Sequence, residues 1–326
     1  MRVLFLTTDL FNRGSGIARM ARLVCKALND SSEIERLNVI SLVDPVGETI
    51  DSRYLSSDKS TYLPIGKNKK KFVASVLSKL LDKYDVCLAS HISLAPAMVP
   101  FRYRSRHSVL AAFAHGLEVW QPLDRLSHVC ANQLDTIFAV SNFTRCRMIE
   151  DNGFHPDKVQ VIYNCLDPFI KNNRTTNQSG NLNLQHPNLL TVSRLSLNDG
   201  YKGHAQVIQA LAKVFQTIPN IHYYIVGEGE LITSLRKLAE EQRLSSQVHF
   251  LGAVSDAELD LIYEQSDLFV MPSTGEGFGL VFAEVMNYGK AAIAGNLDAS
   301  GEVVRNGETG LLVDPSSIDD IAQSIT

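Results

Sequence analysis

The chain has 326 residues, enough for two ordinary domains, and 45% of them are apolar, which excludes wholesale disorder. Its formal charge of −4 hides an asymmetry: residues 1–170 carry 21 Lys and Arg against 17 Asp and Glu, and residues 171–326 carry 10 against 18. A general basic field for nucleic acid is therefore excluded, and any anion site in the acidic half must be built from local groups. Five cysteines (25, 87, 130, 146, 165) are scattered, odd in number and without a C-x-x-C pair. That suits a reducing compartment and argues against a disulfide frame or a zinc site. The apolar stretch near Met1 is too short for a signal peptide, and no apolar run reaches the roughly 18 residues of a membrane span. A soluble cytoplasmic protein without a metal is the expectation.

Along the chain, short apolar runs alternate with helical patterns. The first predicted strand, 3–7, leads into a glycine loop, Asn12-Arg-Gly-Ser-Gly-Ile-Ala-Arg19, and then a helix with Ile17, Met20, Val24 and Leu28 on one face. Gly14 and Gly16 match G-x-G, but Arg19 replaces the third glycine of the dinucleotide fingerprint and the loop is long, so NAD binding is disfavoured. A backbone contact to phosphate or sugar fits better. After the strand 39–43 comes a basic run, Lys67-Asn-Lys-Lys-Lys71, opening a helical pattern over 72–81. It reads as a solvated loop and helix start, or as a contact with an anionic membrane surface or acidic acceptor. Arg102, Arg104 and Arg106 add a second basic stripe beyond the strand 86–90. The strand 109–114 ends at His115-Gly116, and the strands 136–140 and 159–163 complete six in the first half.

An Asn-rich polar segment, 171–187, reads as a linker between domains 1–170 and 188–326. The second series of strands is 189–192, 222–226, 248–251, 268–271, 291–294 and 311–313. Arg194 follows the first of these, and Lys202-Gly-His204 opens the next helix. An Arg at a strand end and a Lys at a helix start can both reach a diphosphate. After 268–271 stands the most informative stretch, Ser273-Thr-Gly-Glu-Gly-Phe-Gly-Leu-Val-Phe-Ala-Glu284. Its glycines admit close backbone approach, and the following helix offers free N–H groups to an anion. Glu276 and Glu284 are acceptors suited to sugar hydroxyls, offset along a ligand and not facing each other as an acid–base pair. Ser317 starts a last helix with an early Asp pair, and the chain stops inside it, as expected of a truncated chain. Strand–helix alternation with fully apolar strands implies two Rossmann-like domains of parallel α/β sheet.

These elements, in this order, resemble the retaining GT-B glycosyltransferases of family four. Glu276 to Glu284 matches their Glu-x7-Glu motif. The early glycine loop, His115-Gly116, Arg194, Lys202-Gly203 and Asn306-Gly-Glu-Thr-Gly-Leu-Leu312 extend the match over nearly the whole chain. The resemblance implies two Rossmann-like domains facing a central cleft and metal-independent, front-face transfer of a hexose with retention. The implied donor is a UDP-sugar, most simply UDP-glucose, and the implied acceptor is a glycan or lipid-linked saccharide in polysaccharide biosynthesis. It implies no cofactor and allows peripheral contact with the inner face of a membrane. By the same resemblance Arg194 and Lys202 would hold the diphosphate, with the backbone at Gly279, Leu280 and Val281 capping it. Glu284 would take the ribose. Glu276 with Gly277 and Phe278 would take the sugar, and Val254 would read the base. His115 would touch the sugar near the reacting carbon, and Gly14 and Gly16 would close over the donor. Two departures stand out: Arg194 and Lys202 are eight residues apart where many members have five, and the usual C-terminal crossover helix is missing. A GT-B epimerase and an inactive sugar-nucleotide-binding protein are the alternatives.

Overall fold

The computed structural model describes residues 1–11, 15–56, 58–104, 107–169 and 183–326. The chain divides into two compact units, Met1–Phe169 and Ile170–Thr326, each built on a parallel sheet. The first sheet contains β1 (Arg2–Thr7), β2 (Arg36–Ser41), β3 (Ser60–Pro64), β4 (Val86–Ala89), β5 (Val109–Ala114), β6 (Thr136–Ala139) and β7 (Val159–Val161). Their order is β3-β2-β1-β4-β5-β6-β7. The second contains β8 (Asn188–Val192), β9 (His222–Val226), β10 (Val248–Gly252), β11 (Leu268–Met271), β12 (Ala291–Gly295) and β13 (Gly310–Val313), in the order β10-β9-β8-β11-β12-β13.

Burial on both faces explains why the strands read as continuous apolar runs. In β1, Leu4 and Leu6 enter one core cluster while Val3 and Phe5 enter another. In β9, Tyr223 and Ile225 face one cluster and Tyr224 and Val226 the other. The twelve predicted strands all form, with ends shifted by up to three residues. A thirteenth, β3, was not expected. It is an edge strand, alternately exposed, and it ends at Pro64, so it lacks the apolar run that marks the others.

Both sheets reverse their order beside their first strand. β1 lies between β2 and β4, and β8 lies between β9 and β11. Ligands of such sheets bind outside the carboxyl ends of the strands at this switch point. In the polar segment 171–187, residues 171–182 lie outside the described residues. Leu184 is buried against the second unit's core, and its N–H donates to Gln265 Oε1. The last helix, Ile318–Ile325, has the expected Ser317 cap, whose Oγ accepts from the Asp320 N–H. Among the described residues, no helix is long and apolar enough to cross a membrane.

Candidate active site

The switch point of the second sheet lies between β8 and β11. The β8 loop leaves at Ser193 and Arg194, and the β11 loop runs from Pro272 to Gly279. Glycines let these loops pack backbone against backbone. A Cβ on Gly227 would stand 1.8 Å from the Ser193 carbonyl oxygen, and one on Gly203 would stand 2.6 Å from that of Pro272.

The longer spacing between Arg194 and Lys202 is taken up by a short 3-10 turn, Leu197–Lys202. Ser196 and Asp199 form a reciprocal capping box at its start. Buried Asp199 also lies 3.3 Å from Arg194, whose side chain stays 68% exposed. The turn ends at Gly203, which opens the helix His204–Val214 in left-handed conformation.

This places Lys202 Nζ 2.5 Å from Glu276 Oε1, with the two side chains only 11% and 14% exposed. Burial alone would lower the Lys202 pKa. The Glu276 carboxylate, helped by Tyr201 and by the hydrogen bond, outweighs it and raises the pKa above the ordinary lysine value. The Tyr201 ring lies under the ammonium at 5.1 Å and fills the space that a side chain on Gly275 would need. Glu276 is fixed through its backbone as well: its N–H donates to Asp298 Oδ2 at 2.7 Å, and its carbonyl accepts from Ala299. Asp298 is itself buried, and desolvation raises its pKa.

Gly279, with φ 82°, caps the helix Leu280–Asn287 and supplies no side-chain acceptor. The leading N–H groups at Leu280 and Val281 therefore have no side-chain cap. Glu284 stands more than a turn inside this helix, where Tyr263 donates its hydroxyl to Glu284 Oε2 at 2.9 Å. The two acids of the motif thus have different partners. Gly277 and Phe278 are half-buried between them. Val254 follows β10 at the far edge of the same sheet, partly buried beside the Ser255 cap of the helix Asp256–Gln265.

In the first unit, Gly14 lies outside the described residues, and Gly16 is the exposed first residue of the helix Gly16–Asp30, capped by Ser15. The loops after β1 and β4 are pinned together, with the Thr8 N–H donating to Ser90 Oγ. His115, at the end of β5, donates from Nε2 to the Ser90 carbonyl at 2.7 Å, and its N–H donates to Glu118 Oε1 at 2.5 Å. Burial lowers the His115 pKa, and Glu118 opposes the shift only in part. The neutral ring therefore presents Nδ1 as an acceptor.

Two family models cover nearly the whole chain. "Glycosyltransferase Family 4" matches residues 16–168, and "Glycosyl transferases group 1" matches residues 172–326. The chain belongs to the family 4 glycosyltransferases of GT-B fold. Among proteins of known function it is 28% identical over 269 residues to the GDP-mannose-dependent α-(1-6)-phosphatidylinositol monomannoside mannosyltransferase of Mycobacterium tuberculosis. That match covers 76% of this chain and 68% of the relative. A shorter match, 41% over 113 residues, links 34% of the chain to 29% of the phosphatidyl-myo-inositol mannosyltransferase of the same organism. Among solved structures, Anabaena Alr3699/HepE in complex with UDP and glucose superposes with a TM-score of 0.77 at 22% identity, over 99% of this chain and 88% of its own. The lipopolysaccharide outer core galactosyltransferase WaaB does so with a TM-score of 0.73 at 17% identity, over 100% and 89%.

Residues that the sequence did not single out also build this arrangement. Asp199, Tyr201 and Asp298 hold the Lys202–Glu276 pair in place. Asp199 was legible in principle, because Ser196-x-x-Asp199 is a capping-box pattern. Tyr201 and Asp298 carry no such signal: they act through space, on a glycine and on a backbone N–H.

Proposed function

We propose that the enzyme transfers a hexose from a nucleoside-diphosphate sugar to a glycan or lipid-linked saccharide, with retention at the anomeric carbon and without a metal. The observation that carries this reading is the Lys202–Glu276 pair at the sheet's switch point, beside a helix N-terminus with no side-chain cap. In this reading Lys202, Arg194 and the Leu280 and Val281 N–H groups meet the charge that develops on the leaving diphosphate. Glu284 takes the ribose hydroxyls. Glu276 orients the sugar and does not attack it, which agrees with a carboxylate already engaged by an ammonium. The departing phosphate then accepts the acceptor's proton on the same face. His115 Nδ1 suits a sugar hydroxyl, and Val254 lies where a base contact would fall in the resemblance.

For the donor, kinship in sequence weighs toward GDP-mannose, the donor named for the mycobacterial relative, over the UDP-glucose expected from the sequence. Calorimetric titration with GDP, UDP and ADP, followed by NMR of the product's anomeric configuration with the matching sugar nucleotide, tests both points. GDP binding that is lost in Arg194→Ala, with retained configuration, is the expected result. Preference for UDP would restore the UDP-sugar reading. An inverted product, or a glycosyl adduct on Glu276 seen by intact mass, would refute the front-face step.

A further inference from the structure

Two tyrosines join the helices Asp256–Gln265 and Leu280–Asn287 reciprocally. Tyr263 of the first helix donates its hydroxyl to Glu284 Oε2 of the second at 2.9 Å. Tyr288, which ends the second helix, donates its hydroxyl back to Asp260 Oδ1 of the first. The two rings are tilted against each other, with centroids 5.2 Å apart and planes at 32°. Helical spacing explains the pattern. Asp260 and Tyr263 share a face of one helix, at i and i+3, and Glu284 and Tyr288 share a face of the other, at i and i+4.

The two bonds differ in what they hold. Tyr263 is 2% exposed, in the core cluster of Ile262, Phe269 and Phe282. A phenylalanine would fill the same space, and a hydroxyl there is costly unless it is bonded. The hydroxyl adds a grip on the second acid of the Glu276–Glu284 stretch. A glutamate loses rotamer freedom when its side chain is fixed. A carboxylate aimed before the ligand arrives meets that cost in folding and not in binding. The helix that carries Tyr263 also begins at the Ser255 cap, next to Val254, so one rigid element links the acid to the place proposed for the base.

We propose that Tyr263 is a positioning residue for the donor's ribose: by aiming Glu284 it sets how strongly the enzyme selects a ribonucleotide over its deoxy forms. The inference rests on the reading in which Glu284 takes the ribose hydroxyls. Tyr288 is the internal control, because its bond ties the same two helices through Asp260 and not through Glu284.

The test is calorimetric titration of the full chain with GDP or UDP, whichever binds more tightly, and with the 2′-deoxy and 3′-deoxy forms of that nucleotide. Each deletion removes a hydroxyl that could bond a charged group, so the wild type should bind at least one deoxy form about tenfold or more weakly. Tyr263→Phe should bring that ratio down to about threefold or less, by weakening the ribonucleotide while the deoxy affinity stays within about twofold of wild type. Tyr288→Phe should keep the wild-type ratio, although its thermal unfolding shifts down like that of Tyr263→Phe. A merely structural Tyr263 would weaken ribo and deoxy forms alike and leave the ratio as it was. That result would overturn the proposal and leave the ribose reading of Glu284 standing. A ratio lowered equally in Tyr288→Phe would also overturn it, by tracing the effect to helix packing. A wild type that binds ribo and deoxy forms equally would remove Glu284 from the ribose, and the proposal with it.

Discussion

Lys202 and Glu276, 74 residues apart in the chain, meet in one nearly buried ion pair at 2.5 Å. The resemblance assigns the first to the diphosphate and the second to the sugar. Here each is the other's partner, so on that assignment donor binding would be an exchange of partners.

Removing either cation from the diphosphate should be costly. Loss of one preorganised donor to a developing anion is worth roughly 3 kcal/mol, about a hundredfold in rate. Lys202→Ala and Arg194→Ala should each lower kcat by that factor or more in a steady-state assay. Near-normal turnover in both would remove the diphosphate assignment.

His204 sets an acid limit on the second unit. It is buried at the start of its helix and hydrogen-bonded through Nε2 to Ser193 Oγ, and burial followed by the nearby Lys202 charge pushes its pKa down to about 4 from an ordinary 6.5. The unfolded chain binds this proton below pH 6.5 and the native chain does not. Stability is thus intact above pH 6.5 and declines as pH falls toward 4, by on the order of 3 kcal/mol. Amide exchange in the helix His204–Val214 should quicken over that window, and His204→Asn should flatten the dependence.

Gly203 is fixed by two separate constraints, a φ of 83° and the Pro272 carbonyl 2.6 Å from any added Cβ. Gly203→Ala should cost about 2 kcal/mol or more in calorimetric unfolding. Gly200→Ala is the control, with nothing within 4 Å of the new methyl group and an expected change under about 0.5 kcal/mol.

Much of this was legible in the sequence because parallel strands covered on both faces announce themselves as apolar runs. The edge strand β3 did not, because half of it faces water. The Glu276–Glu284 stretch was legible because glycines at a strand-to-helix turn have few other uses. The pairing of Lys202 with Glu276 was not, since no local pattern links a 3-10 turn to a loop three strands later in the chain. The faces of the helix Lys69–Ser78 were hidden for a different reason: Phe72, Val73, Val76 and Leu77 read as one run, and only packing separates the two that are buried from the two that are not.

The topology also dictates an order of assembly. β8 is the first strand of its sheet to be synthesised, and it gains its second neighbour only after two further strands have been made, since Leu189 pairs with Tyr223 on one side and must wait for Leu268 on the other. During translation the loop bearing Arg194 and Lys202 emerges long before the strand that leads to Glu276. Until then Lys202 lacks its carboxylate, and β8 has an open edge that other chains could pair with. Slow translation between residues 226 and 268 would prolong that exposure, so aggregation during synthesis should respond to codon choice in this interval more than to changes after β11.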